Sequence, residues 1–200
     1  MSNVIAQRDV ETAAGARGAA PILTGYVETP LGPLLIGTTA EGVCLAEFAE
    51  GRRAEDQTAA LCRLFDAGVT PGENEHTGCL RDELAQYFAG RLTAFRVPLV
   101  YPGNAFERAV WDALRQIPYG HTRAYEELAR ALGRPGAARA VGTANGRNRI
   151  SIVIPCHRVV NKNGRLGGYG GGLWRKQALL DLERRVAGPT GAPPRAAILF

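Results

Sequence analysis

The 200-residue chain has no apolar run near the ~20 residues that a membrane-crossing helix needs. Its N-terminus lacks the apolar stretch of a secretory signal, so export is not expected. Cysteine is sparse: Cys44, Cys62, Cys79 and Cys156 form no CxxC pair, which argues against a zinc ribbon or a thioredoxin-type redox site. They are also too few and too scattered for a disulfide scaffold, and a reducing cytoplasm is the simplest compartment. His76 precedes Cys79 by three residues, but two such groups make no zinc site. Lysine is limited to Lys162 and Lys176, so nearly all positive charge is arginine, which suits planar, bidentate contacts to phosphate and bases.

The most informative absence is acidic. No Asp or Glu stands between Glu127 and Asp181, and ten Arg or Lys fall in that gap. Residues 1–100 carry 8 basic and 13 acidic side chains, a net −5; residues 101–200 carry 16 and 6, a net +10. Such asymmetry points to a polyanionic partner for the second half, with a solvated basic face as the alternative.

Residues 1–20, rich in Ala and Gly, are expected to be disordered. Ile22–Glu28, Leu34–Thr38 and Val43–Phe48 read as three strands of a meander, with turns at Pro30-Leu31-Gly32 and Ala40-Glu41-Gly42. Helices are expected over 54–66 and 78–89, where Leu80, Leu84, Tyr87 and Phe88 recur at helical spacing, and a further strand over Phe95–Val100. Tyr101-Pro102-Gly103 marks a boundary between an α/β domain (21–101) and a second domain (102–186), followed by a tail (187–200). The second domain opens with a capping-box-like pair, Asn104 and Glu107, before a helix whose apolar face is Phe106, Val110, Trp111, Leu114 and Ile117. A shorter helix, from about Tyr125 to Leu132, stops at Gly133; Pro135 is suited to the first turn of a third, running to Asn145-Gly146. That pair resembles a helix-turn-helix. Ile150–Ile154 reads as a short buried strand leading into Pro155-Cys156-His157-Arg158, and a last helix spans about Leu173–Arg185. The fold class is therefore α/β (α+β): a three-stranded N-terminal sheet with helices, then a helical domain with a helix-turn-helix and a short active-site strand.

A reactive Cys needs a way to become thiolate, and a neighbouring His is one, although adjacent strand residues face opposite ways. The Gly167–Gly172 loop lacks the Gly-Lys-Ser/Thr ending of a phosphate loop; it suits close backbone approach to a flat ligand, with Tyr169 as a wall.

Ile154-Pro155-Cys156-His157-Arg158-Val159-Val160 resembles the active-site signature of the O6-alkylguanine-DNA alkyltransferases. So do Ile117-Pro118-Tyr119-Gly120, Tyr125-Glu126-Glu127-Leu128-Ala129, Ala137-Ala138-Arg139-Ala140-Val141-Gly142, Asn145-Gly146-Arg147-Asn148 and Gly168-Tyr169-Gly170-Gly171-Gly172-Leu173, in order over about 80 residues, with Lys176, Leu179-Leu180 and Glu183 following. Residues 22–48 resemble the N-terminal meander of bacterial members more loosely. The resemblance implies a single-use repair protein that flips O6-alkylguanine out of duplex DNA and moves the alkyl group to Cys156; whether O4-alkylthymine is accepted is left open. His157, through a bridging water, would take the thiol proton; Glu183 would orient His157; Asn148 would hold the turn carrying the active-site strand. Tyr125 would help protonate the leaving base. The carbonyls of Cys156 and Val159, the N–H of Gly170 and the ring of Tyr169 would bind it. Arg139 would fill the gap left by the flipped base, competing with a plain phosphate contact. Ala137, Ala138, Ala140, Gly142 and Arg147 would meet the minor groove. No cofactor, metal or membrane is implied, and a monomer is expected. Position 124 departs from the family: Ala stands where Ser or Thr would cap the helix, which costs roughly 1 kcal/mol, and Thr122 could cap a shifted start instead. The alternative reading is a non-enzymatic lesion binder of the alkyltransferase-like type, against which Cys156 argues directly. A Cys-His hydrolase would not explain the basic gap.

Overall fold

The structure is a computed structural model that describes residues 20–188. The expected disordered N-terminus and nearly all of the tail lie outside the described residues. The meander forms as expected: β1 (Ile22–Val27), β2 (Leu34–Thr38) and β3 (Val43–Phe48) pair antiparallel, Val27 opposite Leu34 and Leu34 opposite Phe48. Then come α1 (Arg53–Phe65), β4 (Val69–Pro71) and α2 (Glu75–Phe88). The sheet has four strands, not three, in the order β3-β2-β1-β4, with β4 parallel to β1. β4 escapes a pattern reading because it is three exposed residues ending in proline.

Phe95–Val100 is not a strand. It touches β3 through one bridge, Val43 to Leu99, because Pro98 has no N–H to continue a ladder. Val43 N–H donates to the Pro98 carbonyl (2.8 Å) and Val100 N–H to the Val43 carbonyl (2.9 Å). Further along the same edge, Ala46 N–H donates to the Arg149 carbonyl (2.9 Å) and Ser151 N–H to the Ala46 carbonyl (2.7 Å). Both covering segments protect an otherwise open sheet edge, and the second fixes the stretch before Cys156 against β3.

The second half contains α3 (Ala105–Arg115), β5 (Arg123–Ala124), α4 (Tyr125–Ala131), α5 (Ala138–Gly146), a 3₁₀ turn (Cys156–Arg158), β6 (Val159–Val160) and α6 (Leu173–Ala187). Asn104 and Glu107 form the expected capping box: Glu107 N–H donates to Asn104 Oδ1 (2.9 Å) and Asn104 N–H to Glu107 Oε2 (3.1 Å). The α4 start is not shifted to Thr122. Ala124 is its N-cap, and only half of a box survives, Ala124 N–H donating to Glu127 Oε2 (2.9 Å). Pro135 does not enter α5. It sits in a turn with Gly136, whose φ of +91° is left-handed, so the helix begins only at Ala138.

The largest correction concerns residues 150–154. The apolar run is a buried turn, not a strand: Ile154 N–H bonds the Ile150 carbonyl (3.0 Å), and Ile152 takes a φ of +73°. A β-branched residue held there stores about 1–3 kcal/mol of strain. Four apolar residues around Ser151 read as a strand by composition; a side chain, Asn148, supplies the pairing that a ladder would otherwise give. One apolar core runs through both halves, from Leu34, Ile36 and Tyr87 to Trp111, Val141 and Ile154. No described helix is long and apolar enough to cross a membrane.

Candidate active site

Asn148 organises the turn. Its Oδ1 accepts from Ile150 N–H (3.0 Å), and its Nδ2 donates to the Ile154 carbonyl (2.9 Å) and to Cys156 Sγ (3.1 Å). Cys156 opens the 3₁₀ turn, 5% exposed, at a cavity of about 410 Å³ shared with Tyr125, Asn145, Ser151, Tyr169 and Gly170. A cavity of that volume is in the range of small-ligand sites. Burial pushes the thiol up to about 11, partly offset by the hydrogen bond from Asn148. An isolated thiol here is inert at neutral pH, so attack needs a base and positive charge nearby.

His157 is fully buried, and Nε2 lies 2.9 Å from Glu183 Oε1. A carboxylate only accepts, so Nε2 carries the proton and Nδ1 holds the free lone pair. Burial depresses the imidazole pKa against the pull of Glu183, leaving it neutral and able to accept a proton. Among the described residues, Cys156 Sγ has a hydrogen bond from Asn148 and none from His157. Glu183, also fully buried, accepts from Tyr87 Oη (2.8 Å), Gly120 N–H (3.0 Å) and Arg158 Nε and Nη2 (both 2.9 Å) as well. Burial alone would raise its carboxyl; the hydrogen bond from His157 and the paired Arg158 guanidinium hold it well below the usual carboxylate range.

Tyr125, at the first turn of α4, is half-buried against the cavity, and burial raises its phenol. A Cβ on Gly167 would lie 2.8 Å from the Tyr125 hydroxyl, so only glycine fits there. The Val159 carbonyl accepts from Lys176 Nζ (2.6 Å), and the Cys156 carbonyl from Asn145 Nδ2 (3.4 Å). Gly142 of α5 lines the cavity, while Arg139 and Ala140 are exposed on that helix and Ala137 and Ala138 are partly so. Arg147 is exposed and pairs with Glu107 (2.6 Å). Arg139 is therefore not gathered with Cys156; it lies one turn from Gly142 on the helix that forms a cavity wall.

The structure also brings in residues that pattern reading passes over. Arg53 of α1 lines the cavity and reaches the carbonyls of Gly146 (2.9 Å) and Asn148 (3.1 Å), while its Nε pairs with buried Glu47 (2.7 Å). Glu47 in turn accepts from Ser151 Oγ (3.2 Å) and from its neighbour Phe48 N–H (3.2 Å). The Arg53 guanidinium lies across Gly170, where a Cβ would be 2.2 Å from Nε. Nothing in the local sequence marks Arg53 or Glu47; the active-site segments they hold are about a hundred residues away.

Two family models divide the chain: the ribonuclease-like domain of 6-O-methylguanine DNA methyltransferase matches residues 22–101, and its DNA binding domain matches residues 105–185. The chain belongs to the 6-O-methylguanine DNA methyltransferase family. A methylated-DNA–protein-cysteine methyltransferase of Mycolicibacterium paratuberculosis is 53% identical over 133 residues, 66% of this chain and 78% of that one. The crystal structure of the Mycobacterium tuberculosis O6-methylguanine methyltransferase superposes with a TM-score of 0.71 at 42% identity, covering 84% of this chain and 96% of that one. The Mycobacterium tuberculosis OGT structure in complex with DNA gives a TM-score of 0.68 at 42% identity, over 80% of this chain and 92% of that one. In the terms of this methyltransferase family, the strand meander belongs to the first family domain and the helix-turn-helix and Cys156 to the second.

Proposed function

We propose that this chain repairs DNA by direct reversal, binding duplex DNA that contains O6-alkylguanine and moving the alkyl group irreversibly onto Cys156. The observation that carries this reading is a buried thiol at the wall of a base-sized cavity, hydrogen-bonded by Asn148 and followed by a neutral His157 tied to an anionic Glu183.

The steps follow from the residues. The Cys156 proton passes to His157 Nδ1, directly or through water, and Glu183 stabilises the resulting imidazolium. The sulfur lone pair forms an S–C bond to the alkyl carbon as the C–O bond breaks, its electron pair going to the guanine oxygen. Tyr125 protonates the leaving base, and His157 returns its proton to the tyrosinate. The net result is one proton lost by the thiol and one gained by guanine, with the alkyl carbon on sulfur and Tyr125 and His157 restored, and no step regenerates the thiol. The carbonyls of Cys156 and Val159 and the N–H of Gly170 bind the base edge, and Tyr169 walls it. Asn148 acts by holding the turn.

The base reaches the cavity only outside the stack, at a cost of a few kcal/mol. Arg139 fills the gap it leaves, while Ala137, Ala138, Ala140, Gly142 and Arg147 carry α5 into the minor groove. Residues 21–101 act as the supporting domain and 102–186 as the transfer domain. A monomer in the cytoplasm suits four free thiols. The test is a duplex oligonucleotide bearing one O6-methylguanine, with the lesion counted before and after mixing. Conversion should stop at one lesion per protein molecule. Continued turnover, or binding without loss of the methyl group, would overturn the reading.

A further inference from the structure

Arg175, in the first turn of α6, is only 4% exposed. Its guanidinium lies between two aromatic rings, with Cζ 4.3 Å from the centroid of Phe48 and 4.4 Å from that of Trp174. Around its edge, Nε donates to the Leu31 carbonyl (2.7 Å) and Nη1 to the Gly171 carbonyl (3.0 Å). Nη2 lies 2.8 Å from Glu50 Oε2, an ion pair without hydrogen-bond alignment. Leu31, Phe48 and Glu50 all belong to one end of the N-terminal sheet: the turn before β2, the last residue of β3 and the chain just beyond it. Gly171 belongs to the loop that brings Tyr169 and Gly170 to the cavity. The Phe48 ring also presses on Gly171 itself, where a Cβ would collide with it. Within the loop, Gly172 N–H donates to the Tyr169 carbonyl (3.0 Å), so residues 169–172 form one turn. A single side chain thus ties that turn to a sheet 144 positions away in the chain.

A buried guanidinium facing one exposed carboxylate is a costly way to fill space, and an apolar side chain would pack more cheaply. What these contacts use is a planar fork with two flat faces, which arginine has and lysine lacks.

Resting on the reading above, we propose that Arg175 is a positioning residue for transfer: it fixes the turn at residues 169–172 so that the Gly170 N–H and the Tyr169 ring meet the alkylated base. Its own hydrogen bonds go to Leu31 and Gly171, not to the thiol. Cys156 is held separately, by Asn148. In that reading the Gly170 N–H faces the guanine oxygen, where negative charge develops as the C–O bond breaks. A donor aimed at developing charge acts only from the right place, so a small displacement of the turn lowers the transfer rate. The ionisation of Cys156 is untouched.

The experiment compares two reactions of the same sulfur in the wild type, Arg175→Met, Arg175→Lys and Trp174→Ala. One is single-turnover methyl transfer from the O6-methylguanine duplex at saturating DNA. The other is alkylation of Cys156 by iodoacetamide, read by peptide mass spectrometry, which forms an S–C bond with iodide leaving and needs no base in the cavity. Arg175→Met should slow methyl transfer at least about tenfold, the scale of a misplaced transition-state donor. Its Cys156 should react with iodoacetamide no more slowly than the wild type, and its affinity for undamaged duplex should be unchanged. Arg175→Lys should be as slow as Arg175→Met, because the charge remains but the stack and the fork do not. Trp174 is 57% exposed, so Trp174→Ala keeps the test open even if the arginine variants fail to fold. It uncovers one face of the guanidinium and should slow methyl transfer by a smaller factor, again with iodoacetamide labelling unslowed. Wild-type transfer in Arg175→Met or Trp174→Ala, full recovery in Arg175→Lys, equal slowing of the two reactions, or a matching loss of affinity for undamaged duplex would overturn the proposal while leaving the transfer activity established. A wild type that transfers no methyl group overturns the function itself.

Discussion

Glu183 draws hydrogen bonds from Tyr87, Gly120, His157 and Arg158 into one buried carboxylate, so it is a structural hub as well as the orienter of His157. In the sequence it looks like a solvated helix residue; only the family resemblance singles it out, because its partners come from four separate segments. Cys156, His157 and Asn148 were likewise legible through the family resemblance, since a lone Cys-His pair and an Asn in a turn are common by themselves. Glu183→Gln should leave Arg158 as an uncompensated buried charge and lower the unfolding free energy in urea by about 3–5 kcal/mol. A loss below about 1 kcal/mol would show that the pair contributes little. His157→Ala should slow transfer at pH 7, and the deficit should narrow as pH rises toward the buried thiol's pKa of about 11, where the thiolate forms without a base. Transfer rates from pH 6 to 9 check this; a wild-type rate throughout would remove His157 as the base.

The elements around the site were legible where side-chain periodicity carries the information. The meander, α3 with its capping box, α4 and α6 all follow from local pattern. The turn at 150–154 was not, because the strand-like composition of Ile150–Ile154 is satisfied by a distant side chain rather than by a ladder. The start of α5 was misplaced because Gly136, with its left-handed φ, overrides the helix-starting preference of Pro135. Two substitutions separate the helix from the cavity wall. Arg139→Ala, on the exposed face of α5, should slow repair of duplex DNA much more than dealkylation of free O6-methylguanine base. Gly167→Ala places a Cβ 2.8 Å from the Tyr125 hydroxyl and should slow both substrates alike. Rates measured on the two substrates decide it; equal slowing by Arg139→Ala would move that arginine into the pocket or the fold.

At the scale of the whole molecule, the N-terminal half does more than flank the site. Arg53, Glu47 and Tyr87 contact the active-site segments directly, and β3 carries residues 149–151 along its edge. The charge asymmetry of the two halves is legible in composition, but this mutual support is not, since each contact spans about a hundred residues. Folding and ionisation are linked through the same buried groups. His157 has its pKa depressed by burial, so the unfolded chain binds a proton that the native state refuses, and stability falls as pH drops below about 6.5. Glu183, also depressed, extends the loss below its ordinary value of 4.5, while Glu47, raised by burial, opposes it in the carboxylate range. Urea midpoints should decline from pH 6.5 to 5.5 in the wild type and stay level in His157→Gln; a level wild-type curve would contradict the neutral buried imidazole. Whether Cys156 is the one sulfur that accepts the methyl group is read by peptide mass spectrometry after exposure to O6-methylguanine duplex. One methyl group per molecule, on the peptide containing Cys156 and absent in Cys156→Ser, is the predicted result; a methyl group on Cys44, Cys62 or Cys79, or none on any peptide, would contradict it.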